Sequence, residues 1–141
     1  MYKVVIADDR PSARQGLHTL LEGSGEYCVV GQASDGAEAM ARSEELRPDL
    51  VISDLKMPGL SIIEAARQLK SRQPHLKLII LTAFDDCEDI YRAVGAGVDG
   101  YLMKDTDPEQ ILAAIGQVMR GSTFFQSETN EGGGRDTIEA P

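Results

Sequence analysis

Asp8 and Asp9 stand side by side at the end of the apolar run KVVIA, where two adjacent carboxylates repel each other and resist desolvation. Other residues capable of chemistry occupy similar places: Asp54 closes the run in VISDLKMPG, Thr82 the run in LIILTAFDD and Lys104 the run in GYLMKD. Taken singly, each has an ordinary explanation. Asp9, just before Arg10-Pro11-Ser12, could cap a helix, and Asp8 could be a solvated loop acid. Asp54 precedes a turn proline, Thr82 suits a strand end, and a lysine is usually solvated. Taken together they point to something more specific. Acids gathered in a partly desolvated crevice stay ionised only around a hard cation, and oxygen ligands with retained waters suit Mg²⁺. A cation with open positions and a nearby ammonium would clamp the oxygens of a transferring phosphoryl group. A carboxylate can itself take that group as an acyl phosphate, and the Thr82 hydroxyl could hydrogen-bond one phosphoryl oxygen.

Such a site requires elements that bring those run ends together. Apolar, β-branched runs recur at YKVVIA (2–7), YCVVGQA (27–33), DLVISD (49–54), KLIILTA (77–83) and GYLMK (100–104). They read as strands buried on both faces, as a parallel sheet demands. Segments with helical spacing lie between them. Ala13, Leu17, Leu20 and Leu21 share one face, as do Ile63, Ala66 and Leu69, and further on Ile111, Leu112, Ile115, Val118 and Met119. Asp107-Pro108-Glu109-Gln110 marks the start of the last helix, with an N-cap, a proline at the first helical position and Gln at the third. Turn signals at Gly23-Ser24-Gly25, Arg47-Pro48-Asp49, Gln73-Pro74-His75 and Ala96-Gly97 separate the elements. Five strands alternating with five helices predict a doubly wound α/β sheet with right-handed crossovers. In such a sheet the ligand site lies off the carboxyl ends of the strands. Four of the five strands would contribute to it, the second alone adding nothing.

After Gly121 the chain turns polar and glycine-rich, and SETNEGGGRDTIEAP has little to bury. The expected folded domain spans 1–125, with 126–141 a flexible linker or tail. At 141 residues and a formal net charge of -9, the chain suits one domain and argues against a nucleic-acid or anionic-membrane surface of its own. No apolar run approaches membrane-spanning length, and the start lacks a signal-peptide core. Cys28 and Cys87 have no metal-ligand spacing, so a reduced, cytoplasmic location is expected. His18 and His75 fall at no strand end and are expected on the surface.

On the DD pair, D54-x-K-M-P-G, L-T82-A and K104, all in order, residues 2 to about 121 resemble the receiver domain of a two-component response regulator. The resemblance implies the flavodoxin-like, CheY-like (βα)5 fold, a parallel sheet of five strands in the order 2-1-3-4-5. It implies that Asp54 is the phosphoacceptor, receiving its phosphoryl group from a phosphohistidine on a sensor histidine kinase. Asp9 and Asp54 would bind Mg²⁺ directly, together with the backbone carbonyl of Lys56, while Asp8 would act through water. Lys104 would neutralise the phosphoryl charge. Thr82 and Tyr101 would form the switch pair, Thr82 moving toward the phosphoryl group and Tyr101 turning inward behind it. A receiver of this kind is not an enzyme with a separate substrate: it promotes only its own phosphorylation and dephosphorylation.

R14-Q-G-L, V30-G-Q-A-S-D-G and A96-G-V-D-G-Y-L-M-K-D are similar to the NarL/LuxR-type branch, whose output is a helix-turn-helix DNA-binding domain acting in transcription regulation. No basic recognition helix follows residue 125 here, so DNA would be reached only through a further domain absent from this sequence. The alternative is a stand-alone receiver, or a pseudo-receiver serving as an interaction module. A homodimer is compatible with the sequence, and the first and fifth helices are a candidate surface for it that the motifs do not fix. Asp105 stands where many receivers have proline, and Ile62 where the family usually has glycine. Lys56 and Phe84 occupy positions that shape water access in the family, and a bulky Phe84 is expected to slow hydrolysis of the acyl phosphate. A phosphatase of the haloacid dehalogenase type would need a second acid two residues after the nucleophile, where this chain has Lys56.

Overall fold

The computed structural model describes residues 1–83 and 86–126 of the chain. The elements alternate as the apolar runs predict: β1 (Tyr2–Ala7), α1 (Pro11–Ser24), β2 (Tyr27–Ala33), α2 (Gly36–Leu46), β3 (Leu50–Ser53), α3 (Ile62–Arg72), β4 (Lys77–Thr82), α4 (Cys87–Gly95), β5 (Gly100–Met103), α5 (Pro108–Met119) and β6 (Phe124–Phe125). The strands form one parallel sheet ordered β2-β1-β3-β4-β5-β6. The expected 2-1-3-4-5 order is therefore present, with one strand added. β6 is two residues long, too short to leave a periodic signal, and it pairs with Gly100 and Tyr101 at the edge beyond β5.

Alternation along each strand builds two cores. Val4, Ile6, Leu50, Ile52, Ile79, Leu81 and Leu102 face Leu21 of α1 and Ile111, Ile115 and Val118 of α5. Val5, Val51, Leu78, Ile80, Tyr101 and Phe125 face the other way, toward Ala39 of α2, Ile63 and Leu69 of α3 and Ile90 of α4. Burial on both faces is why the strands read as unbroken apolar runs.

Local chemistry sets the helix starts. Asp35, Ser61, Asp86 and Asp107 accept backbone N–H bonds as N-caps of α2, α3, α4 and α5. At α2 the entry is held from both sides: Asp35 accepts from the Glu38 N–H at 2.8 Å, and Glu38 Oε1 accepts from the N–H of Ser34, just before the cap, at 2.8 Å. That backbone bond, with a second from the Ser34 hydroxyl, holds the Glu38 carboxyl below its usual range. At α1 the cap position is Arg10, without a side-chain bond, and Pro11 starts the helix, so Asp9 is not spent on capping.

Ile62 needs no special backbone. It is the first residue of α3 and is buried, while the left-handed turn of this loop falls at Gly59, with φ of 80°. The same loop lies so close to α2 that a Cβ on Gly36 would come 2.0 Å from the Leu60 carbonyl oxygen.

Candidate functional site

Strand pairing carries each reactive residue into place. Ala7 is in register with Ser53, and the next backbone bond in the ladder runs from the Asp54 N–H to the Ala7 carbonyl at 2.8 Å. Thr82 is likewise in register with Met103, and the Lys104 N–H donates to the Thr82 carbonyl at 2.8 Å. The Asp8 N–H reaches the Ala33 carbonyl at 3.0 Å. Three of the reactive residues thus extend the rungs of a rigid sheet by one position, which fixes their backbones more tightly than a free loop would.

The side chains converge from there. One carboxylate oxygen each from Asp8, Asp9 and Asp54 lie within 4.8 Å of one another. Asp8 and Asp54 are buried and Asp9 is exposed. Lys104 reaches in from β5, its Nζ 2.6 Å from Asp8 Oδ2 and 3.4 Å from Asp54 Oδ2. Its side chain is 22% exposed, so it is not a solvated surface lysine. The remaining carboxylate oxygens take backbone donors: Arg10 N–H gives to Asp8 Oδ1 at 2.9 Å, and Leu55 N–H to Asp54 Oδ1 at 2.8 Å. Three carboxylates facing one ammonium leave an excess of two negative charges in a half-enclosed crevice. An all-oxygen donor set with that excess is the chemistry a hard divalent cation requires.

Thr82 is fully buried, two residues beyond Ile80, with which Tyr101 is in register. Tyr101 is also fully buried, among the residues of the α2–α3–α4 core. It thus already lies inward in this structure. Lys56 extends from the β3–α3 loop toward α4, where its Nζ is 3.6 Å from Asp89 Oδ2. Phe84, expected to shield the acceptor, lies outside the described residues. Beside Asp8, Asp54 and Lys104 a cavity of about 230 Å³ opens between α1 and α5, walled by Leu17, Leu20 and Ile111. Asp54 therefore borders open space. His18 is held away from it, against Gln32 at 3.3 Å and Glu22 at 3.6 Å.

Two contributors had no legible role in the sequence. Arg14, visible only as part of a motif, donates from Nη1 to the Asp8 backbone carbonyl at 2.7 Å and from Nε to Gln32 Oε1 at 3.1 Å. It braces the turn that holds the acid pair. Gln126, placed by composition at the start of the tail, hydrogen-bonds on both sides of Lys104: its Oε1 accepts from the Met103 N–H and from the Thr106 hydroxyl, each at 3.0 Å.

Residues 4–116 match the response regulator receiver domain. The chain is 38% identical over 127 residues to the transcriptional regulatory protein YxjL of Bacillus subtilis, covering 90% of this chain and 58% of that one. It is 37% identical over 126 residues to the response regulator protein VraR of Staphylococcus aureus, covering 89% and 60%. The chain thus spans about three-fifths of the length of these relatives. Among solved structures, the signal receiver domain of a response regulator NarL from Mycobacterium tuberculosis superposes with a TM-score of 0.81 at 32% identity, covering 85% of this chain and 97% of that one. With the strand order, the acid cluster and the inward lysine all in place, the chain belongs to the family of response regulator receiver domains.

Proposed function

We propose that the chain is a phosphorylation-controlled switch in which Asp54 is the acceptor. The observation that carries this reading is the convergence of the Asp54 carboxylate with the Lys104 ammonium and the Asp8–Asp9 pair, at the edge of an open cavity. A carboxylate oxygen of Asp54 attacks the phosphorus of a phosphohistidine. The new O–P bond forms as the P–N bond breaks, and the imidazole leaves with the electron pair and takes up a proton from solvent. Lys104, already within reach of Asp54, follows the developing negative charge on the phosphoryl oxygens. Thr82, at the end of the adjacent strand, offers a hydroxyl to one of those oxygens. Asp8, Asp9, Asp54 and the backbone carbonyl of Lys56 would hold Mg²⁺, which when bound neutralises charge on the acids and on the transferring group. Lys56 sits where a haloacid dehalogenase phosphatase would need its general acid, so a switch fits this chain better than a phosphatase.

Buried Thr82 and Tyr101, on neighbouring strands, would carry the change to the face bearing α4 and β5. The donor would be a sensor histidine kinase and the setting cytoplasmic. The output would be a dimer through α1 and α5, or a DNA-binding domain as in transcription regulators of this type. Among the described residues no helix is long and apolar enough to cross a membrane.

Intact-mass measurement after incubation with acetyl phosphate tests the reading. One added phosphoryl group that requires Mg²⁺ and is lost in Asp54→Asn is the expected result. A folded chain that takes up none would assign the domain to phosphorylation-independent interaction instead.

A further inference from the structure

We infer that Gln126 is a positioning residue for Lys104, tying the end of the sheet to the phosphoacceptor site; the inference rests on Asp54 being the acceptor. Lys104 and Asp105 form the short span between Met103, the last residue of β5, and Thr106. A single amide oxygen, Gln126 Oε1, closes over that span, accepting from the Met103 N–H at 3.0 Å and from the Thr106 hydroxyl at 3.0 Å. The backbone of Gln126 is fixed in turn, because its N–H donates to the Tyr101 carbonyl at 2.8 Å. Phe125, immediately before it, is buried in the same core as Tyr101, and the Phe124 N–H donates to the Asp99 carbonyl at 3.0 Å. β6 is therefore a strap along the first half of β5, and the side chain of the residue that follows it, Gln126, brackets the lysine that contacts Asp8 and Asp54.

Lys104 Nζ lies closer to Asp8 than to Asp54, so placing it over a phosphoryl group on Asp54 requires a small, directed shift. A span pinned at both ends restricts which shifts are open to it, and orientation of this kind acts on rate rather than on binding. Contacts made on both sides also work in reverse. A shift of Lys104 must be felt at the Gln126 hydrogen bonds, since coupling between sites is reciprocal.

The test uses the full 141-residue chain with acetyl phosphate and Mg²⁺, comparing wild type, Gln126→Ala, Thr106→Val, Lys104→Ala and the Gln126→Ala/Lys104→Ala double variant. Gln126→Ala is expected to slow phosphorylation roughly fivefold with an unchanged Mg²⁺ requirement, Thr106→Val less so, and Gln126→Ala is expected to add nothing once Lys104 is gone. Amide exchange at Gln126 is expected to differ between the free and phosphorylated chains. A loss of the same factor with and without Lys104, or no loss at all, would overturn the inference while leaving the acceptor reading intact. Failure of wild type to take a phosphoryl group would overturn both.

Discussion

The Lys104 ammonium lies 2.6 Å from the Asp8 carboxylate, nearer than its 3.4 Å approach to Asp54. This lysine therefore chiefly balances the buried acid at the end of β1, and only secondarily Asp54. Lys104→Ala should cost about 1–3 kcal/mol without Mg²⁺, since it leaves the buried oxygens of Asp8 and Asp54 without their charged donor. The loss should shrink when Mg²⁺ is saturating. Urea unfolding of both proteins with and without the cation checks this, and an equal loss in both conditions would count against the charge argument.

The excess of negative charge among Asp8, Asp9 and Asp54 should make the folded chain a better Mg²⁺ binder than the unfolded one. At tenfold over its dissociation constant, the cation should stabilise the fold by about 1.4 kcal/mol, seen as a raised melting temperature. Asp9→Asn should remove most of that rise. Asp54→Asn should melt higher than wild type in the absence of the cation, because it relieves repulsion while keeping an oxygen for the Leu55 N–H.

Arg14 supports the site through backbone alone. Its charged bond to the Asp8 carbonyl is short, and Arg14→Ala should cost about 1–2 kcal/mol. Because that carbonyl belongs to the turn carrying Asp8 and Asp9, Mg²⁺ affinity should fall beyond what the stability loss explains. Isothermal titration of the variant at a temperature where it is fully folded separates the two effects.

Gly36 is the tightest backbone approach near the acceptor loop. A methyl group there would collide with the Leu60 carbonyl, and backbone rather than a flexible side chain must yield. Gly36→Ala should destabilise by about 1–3 kcal/mol and displace the loop after Asp54, so thermal melting and the phosphorylation rate should both fall. Unchanged values of both would mean that the loop relaxes freely.

Much of this site could be read from the chain because its chemistry sits at the ends of apolar runs. Asp54 and Lys104 each follow a strand whose buried faces announce it, and the topology of parallel sheets does the rest. β6 escaped because two aromatic residues ahead of a polar stretch have no period to detect. Gln126 escaped for a related reason: an amide side chain accepting backbone and hydroxyl donors looks, in sequence, like any linker glutamine. Arg14 stood out as a motif, yet its target is a main-chain oxygen that no side-chain pattern encodes. The Lys56–Asp89 pair depends on how α4 lies over the β3–α3 loop, a tertiary relation between segments far apart in the chain. Ile62 shows the converse. The residue at the family's glycine position is here the buried first residue of α3, where no positive φ is needed.

The extension of the strand ladder into Asp54 and Lys104 also bears on how the protein matures. A parallel strand that slips by one residue turns every side chain to the opposite face. The pocket draws on β1, β3, β4 and β5, so an error in any of those registers would leave a compact chain with its carboxylates scattered. Cation binding during refolding should therefore appear only with the final, slowest phase, as the non-local contacts of the sheet close. Competence to be phosphorylated would then certify that those four strands have been threaded correctly, and a molecule misregistered among them would be silent rather than falsely active.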